Sequence, residues 1–151
     1  EIIKQLRDRF GDSIFDENGI NKASLASLIF NDSIALRDVN RIIHPRVRKE
    51  FASWAEQQTS QYVIMEAAIL FESGGHKNMD YSILVYAPED LRIQRVVERD
   101  NTTAEQVKAR MRNQVKDEEK INKADWVLYN DGVRMILPQI IEIHNQIKAK
   151  N

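Results

Sequence analysis

Three short, nearly unbroken apolar runs limit what this chain can fold into: YVIMEAAILF (Tyr62–Phe71), YSILVYA (Tyr81–Ala87) and WVLYN (Trp126–Asn130). A strand with one wet face alternates apolar and polar residues. These runs do not, which predicts strands covered on both faces, as in a parallel sheet. Around them the apolar spacing lengthens to a helical period. Leu36, Val39, Ile43, Val47, Phe51 and Trp54 mark a helical stretch over Ser33–Gln57, which Pro45 should split into two helices meeting near His44. Pro88 suits the first turn of a helix, where its missing N–H costs nothing. Thr102 and Glu105 have capping-box spacing for a helix reaching about to Gln114. Val133, Ile136, Leu137, Ile140, Ile141 and Ile147 predict a last helix over Val133–Lys148. Strands alternating with helices make the fold class α/β.

The 151 residues suit a single domain, and 42% hydrophobic with 30% charged residues is the balance of a globular chain. With 22 basic against 23 acidic residues the formal net charge is −1, which argues against a dedicated nucleic-acid binder. There is no cysteine, so disulfide and thiolate chemistry are excluded, in keeping with a cytoplasmic location. No apolar run approaches the ~20 residues of a membrane span, so no membrane partner is expected. The sequence opens at Glu1 without an initiator methionine, directly in a helical pattern (Ile2, Ile3, Leu6, Phe10), as if an N-terminal piece preceded it.

Four segments could carry chemistry. In EAAILFESG (Glu66–Gly74), Glu66 and Glu72 stand at the carboxyl end of an expected strand, where open α/β sheets bind ligands and an acid can hold a metal or its water shell. They read equally as solvated or paired acids at a loop edge. In RIQRVVERD, Arg92, Arg95 and Arg99 share one helix face; Lys108 and Arg112, with Arg110 and Gln114 beside them, follow across a short polar turn. Convergent guanidinium groups suit a lid over a triphosphate. Glu98, Asp100 and Glu105 could equally make this an ordinary ion-paired surface. In ADWVLYNDG (Ala124–Gly132), the Asn130 amide could read a purine edge, or Asn-Asp-Gly could be a plain turn. In VNRIIHPRVR, Arg41, His44, Arg46 and Arg48 make a basic helical surface for an acidic ligand, or His44 and Pro45 merely mark a helix junction.

In this order and spacing the four segments resemble dephospho-CoA kinase. Asn40, His44 and Pro45 match an Asn-x-x-x-His-Pro element. Ala68-Ile69-Leu70-Phe71-Glu72 matches a strand end in which the family has proline where this chain has Ala68. Arg95 and the Arg99-Asp100 pair match the arginine-rich lid; Gln114, Glu119, Lys120, Ala124-Asp125, Asn130 and Gly132 follow in place. The resemblance implies a P-loop kinase fold: a parallel sheet, here without its first two strands, a helical acceptor part (22–57) and a lid (92–120), all in one N-terminally truncated domain. It implies transfer of the γ-phosphoryl of ATP, with Mg²⁺, to the ribose 3′-hydroxyl of dephospho-CoA, the final step of coenzyme A synthesis. Arg95 would then be the catalytic arginine. Asn130 and Gly132 would line the adenine pocket, Asn40, His44, Glu66 and Glu72 would hold the acceptor, and Arg92, Arg99, Arg110, Arg112 and Gln114 would belong to the lid. Another small-molecule P-loop kinase, or a non-catalytic α/β interaction module, is the alternative.

The phosphate-gripping motif G-x-x-x-x-G-K-S/T is not among these residues. The unit that carries it is a strand–helix–strand module on the order of 30 residues, whose backbone cradles the phosphates. The 151 residues alone are therefore expected to be inactive, and either to be unstable or to associate through unpaired sheet edges.

Overall fold

The computed structural model describes residues 1–112 and 114–150, the side chains of Phe30 and Asn31 apart. The chain divides into two compact units, Glu1–Val63 and Ile64–Asn151. Among the described residues no helix is long and apolar enough to cross a membrane.

The first unit is mainly helical. Helix α1 (Ile2–Phe10) stops at Gly11, whose φ of 71° lets the chain reverse and whose N–H donates to the Arg7 carbonyl at 2.8 Å. A single 3-10 turn leads into a minimal antiparallel hairpin, β1 (Phe15–Asp16) and β2 (Gly19–Ile20). Nothing in the apolar pattern announces strands this short. Helix α2 (Lys22–Asn31) is capped by Asn21, whose Oδ1 accepts the Ser24 N–H at 2.9 Å. Helix α3 (Ser33–Ala55) is capped by Asp32, which accepts from Ile34 and Ala35. Each cap satisfies donors that a helix start leaves orphaned. Leu6, Ile14 and Val39 form the buried centre, with Phe10, Phe15, Leu25, Leu28 and Ile42 packed against it. Each large apolar side chain so buried contributes about 1.5–3 kcal/mol.

The expected break at Pro45 does not occur: α3 runs through it as one helix. Pro45 removes the donor to the Arg41 carbonyl, but both residues lie on the exposed face, where water can satisfy that oxygen. Burial of Ala35 and Val39 on the other face holds the helix together.

The second unit contains β3 (Ile83–Tyr86) and β4 (Trp126–Tyr129), paired parallel in the register Ile83↔Trp126 to Tyr86↔Tyr129. The crossover between them is α4 (Glu89–Asp100), α5 (Ala104–Met111) and α6 (Asp117–Lys123); α7 (Ile136–Lys150) follows β4. At the start of the pair, Asp125 Oδ2 accepts both the Ser82 N–H (2.8 Å) and the Ser82 hydroxyl (2.9 Å), while the Asp125 N–H donates to the Ser82 carbonyl (3.0 Å).

Several boundaries and one strand differ from expectation. The run Tyr62–Phe71 is not a strand: 62–67 has no regular structure and 68–74 is a series of turns. A strand exists through its hydrogen-bonded neighbour, and no described segment pairs with this run. Local turn bonds form instead, such as Ser73 N–H to the Ile69 carbonyl at 3.0 Å. Ile83 and Val85 of β3 are 38% and 59% exposed, so one face of the pair is open among the described residues rather than covered on both sides. The α5 cap is Thr103, which accepts the Gln106 N–H, not Thr102 with Glu105; the helix ends at Met111. The last helix begins at Ile136, because Asp131 Oδ1 accepts the N–H groups of Val133 (2.9 Å) and Arg134 (2.8 Å) and holds that stretch as a loop.

Candidate functional site

In the second unit the site is built at the carboxyl ends of β3 and β4. Asn130, the residue after β4, donates its N–H to the Tyr86 carbonyl at 2.7 Å and so extends the pairing by one step. Its own carbonyl accepts Nη1 of Arg95, on α4, at 2.9 Å. The chain then turns through Asp131 and Gly132. Gly132 has φ 82°, and a Cβ there would meet nothing closer than 3.9 Å, so backbone conformation rather than space demands glycine. Hydrogen bonds from the Arg134 and Val133 N–H groups hold the Asp131 carboxyl below its usual range. The Arg134 guanidinium stacks over the Tyr129 ring at 3.8 Å, and Tyr129 meets Tyr86 edge-on. Arg95, Asn130 and Gly132 are thus brought together.

The other arginines of that helix are not. Arg92 and Arg95, three residues apart, point to different partners. Arg92 makes a two-pronged ion pair with Asp117 of α6. Lys120 Nζ lies 3.9 Å from Asp117 and 3.5 Å from Glu72, and Glu72 also accepts the Val115 N–H at 3.0 Å. Lys120 is only 7% exposed, so this four-residue cluster is a largely buried tie between the turn at Glu72 and helices α4 and α6. Arg99 pairs with the adjacent Asp100 at 2.7 Å, with Arg110 3.8 Å from the same carboxylate. Their hydrogen bond and mutual charge raise the Arg99 pKa and lower that of Asp100. Arg112 is exposed just beyond α5, Gln114 donates its N–H to the Met111 carbonyl at 3.0 Å, and Glu66 is exposed in the irregular segment.

In the first unit, Asn40 and His44 are one turn apart on α3, both half-buried, with Arg48 one turn further on the same face. Burial, and then the Arg48 charge, lower the His44 pKa. Arg46 instead pairs with Glu50 at 2.7 Å.

The family model for dephospho-CoA kinase matches residues 1–135. The chain belongs to the dephospho-CoA kinase family. A dephospho-CoA kinase of Bacteroides fragilis (strain YCH46) is 42% identical, the match covering 99% of this chain and 78% of the relative. One from Porphyromonas gingivalis is 32% identical over 99% of this chain and 75% of its own length. A crystal structure of a Thermus thermophilus protein superposes with a TM-score of 0.78 at 28% identity, covering 97% of this chain and 75% of that one. A Campylobacter jejuni dephospho-CoA kinase shares the fold, with a TM-score of 0.61 at 24% identity over 97% of this chain and 77% of that chain. The small parallel sheet with its helices is accordingly part of a P-loop kinase fold.

Around the end of β4 the structure also gathers Gln139, Tyr129 and Arg134, which the sequence pattern did not single out. Gln139 was hidden inside the apolar repeat of the last helix, where a lone amide close behind a strand end was the available signal. The open groove of about 720 Å³ along α7, lined by Met135, Leu137 and Ile141 among others, contains none of the candidate site residues. It follows from the exposed apolar side of α7. Among the described residues no three His, Asp or Glu side chains gather as a metal site.

Proposed function

We propose that this chain forms the lid, base-reading and acceptor parts of an enzyme that transfers the γ-phosphoryl of ATP to the ribose 3′-hydroxyl of dephospho-CoA. The observation that carries the reading is the Arg95 guanidinium, fixed at 2.9 Å on the Asn130 carbonyl at the end of β4. One donor of the fork is thereby used for anchoring, and the rest of a permanently charged, planar group remains for phosphate oxygens. Transfer of a phosphoryl group spreads charge over its oxygens, and a guanidinium held in place beforehand stabilises that charge without reorganising.

Asn130 and Gly132 border the adenine, with the Asn130 side-chain amide free to offer both a donor and an acceptor to a purine edge. The face of α3 bearing Asn40, His44 and Arg48 seats the acceptor, and the part spanning 22–57 carries it. The segment 92–120 acts as lid, with Lys108 and Arg112 exposed on and after α5 to meet phosphates. Glu72 and Arg92 are engaged in the Lys120 cluster, which braces the base of this lid. Mg²⁺ accompanies ATP; it neutralises phosphate charge and is commonly held through one or two carboxylates and the phosphates themselves. An enzyme that draws on ATP in this way belongs in the cytoplasm.

The test is steady-state kinetics of phosphoryl transfer to dephospho-CoA in the natural enzyme. Arg95→Ala should lower kcat by about 100-fold or more, with the KM for dephospho-CoA little changed, as for a group that acts mainly in the transition state. Normal turnover in that variant would remove Arg95 from the mechanism.

A further inference from the structure

Gln139 makes contacts that its place in a mostly exposed helix does not require. Its Oε1 accepts the Tyr129 N–H at 2.8 Å, and its Nε2 donates to the Tyr129 carbonyl at 3.1 Å and to the Met135 carbonyl at 2.9 Å. One side-chain amide thus satisfies both backbone groups of Tyr129, as a neighbouring strand would. In the register of the pair, Tyr129 turns these groups away from β3, whereas the next N–H, that of Asn130, points to the Tyr86 carbonyl. The peptide joining Tyr129 to Asn130 is therefore held from both sides, by Gln139 on one and by Tyr86 on the other. The carbonyl immediately after it receives Arg95.

We propose that Gln139 is a positioning residue for phosphoryl transfer: through the Tyr129 backbone it fixes the Asn130 peptide, which in turn sets both the base-reading amide and the anchored Arg95. The chemistry is simple. A side-chain amide matches a backbone amide donor-for-acceptor, so it locks translation along the strand as well as distance from it. Without it, Tyr129 keeps water as a partner, but water fixes no direction. The Asn130 carbonyl can then shift by a fraction of an ångström, and misplacement on that scale is enough to reduce a reaction that depends on orientation. Gln139 touches neither nucleotide nor acceptor in this scheme. The inference rests on the role proposed for Arg95 and Asn130.

The experiment is a double-mutant cycle in the natural enzyme, with Gln139→Met, Arg95→Ala and the double variant. Methionine keeps the length and helix preference of glutamine but neither hydrogen-bonding end. Gln139→Met should raise the KM for ATP about fivefold, the factor that follows from losing a hydrogen bond of ordinary strength, and lower kcat by a similar or larger factor. The KM for dephospho-CoA should stay within about twofold. In the Arg95→Ala background the further loss in kcat should largely vanish, because the group being positioned is gone. A Gln139→Met enzyme with a lowered Tm but wild-type kcat and ATP KM would overturn the proposal, since that is what a purely structural role gives; so would full additivity in the cycle. Should Gln139→Met fail to fold, Gln139→Glu keeps an acceptor for the Tyr129 N–H but sets a carboxylate oxygen against the Tyr129 and Met135 carbonyls, and it must also raise the KM for ATP. The two readings fail separately. If Arg95→Ala turns over normally, the role of Arg95 is wrong. If Arg95→Ala is impaired and neither Gln139 variant is, only the positioning role is wrong.

Discussion

Replacing Lys120 by methionine tests whether the buried charge cluster ties the turn at Glu72 to helices α4 and α6. Its ammonium lies 3.5 Å from Glu72 and 3.9 Å from Asp117, in side chains that are 9%, 15% and 28% exposed. At an effective dielectric of 20, two such charges attract by about 5 and 4 kcal/mol, but burying them costs several kcal/mol per ion, so most of this is offset. Removing the ammonium alone leaves that burial cost in place for Glu72, which keeps the hydrogen bond from the Val115 N–H; Asp117 retains Arg92. Breaking a buried pair costs about 3–5 kcal/mol, and discounting for the partial exposure of the two acids gives about 2–3 kcal/mol. Glu72→Gln, which can still accept from Val115, should cost about 1 kcal/mol. The double variant should lose less than the sum, because the unpaired carboxylate is then gone. Urea denaturation of the natural enzyme and its variants supplies all of these values from midpoints and slopes. A Lys120→Met protein within about 0.5 kcal/mol of wild type would refute the reasoning, placing the cluster among ion pairs that contribute nothing measurable.

Three further outcomes follow from the same structure. Pro45→Ala restores a helical donor to the Arg41 carbonyl and should stabilise the protein by about 1–3 kcal/mol in denaturation, the exposed setting keeping the gain below the full proline penalty. His44 titrates below its ordinary value in the folded chain, so the unfolded chain takes up the proton first as pH falls. Its contribution is thus neutral well above pH 6.5 and becomes a loss of stability as pH drops below it; His44→Gln should flatten that part of the stability–pH profile. Asn130→Ala leaves the backbone carbonyl for Arg95 and should raise the KM for ATP with little change in kcat, an unchanged ATP KM removing its amide from the base site.

What could be seen in the sequence was whatever depends on local pattern. The apolar runs at Tyr81–Ala87 and Trp126–Asn130 became β3 and β4, shorter than the runs by three residues and by one. The run at Tyr62–Phe71 looked the same, yet a strand needs a neighbour, and pairing is not written in a segment's own residues. Pro45 was overestimated because whether a proline breaks a helix depends on which face its lost bond occupies. Charge spacing put Arg92, Arg95 and Arg99 on one helix face, but it could not say that Asp117, the Asn130 carbonyl and Asp100 would each claim one of them. Asp117 lies 25 positions beyond Arg92, and such a partner becomes visible only once the crossover has folded back.

The serine–aspartate clip between Ser82 and Asp125 has a meaning for how this enzyme can vary. A hairpin inherits its alignment from its turn; parallel strands have no turn, so something else must set their phase. Here the phase is set at the inlet of the pair, on the residues just before each strand. Insertions or deletions anywhere in the arginine-bearing excursion from Glu89 to Lys123 therefore need not slide Tyr86 against Tyr129. The excursion can change in length while the carboxyl ends of the pair stay aligned.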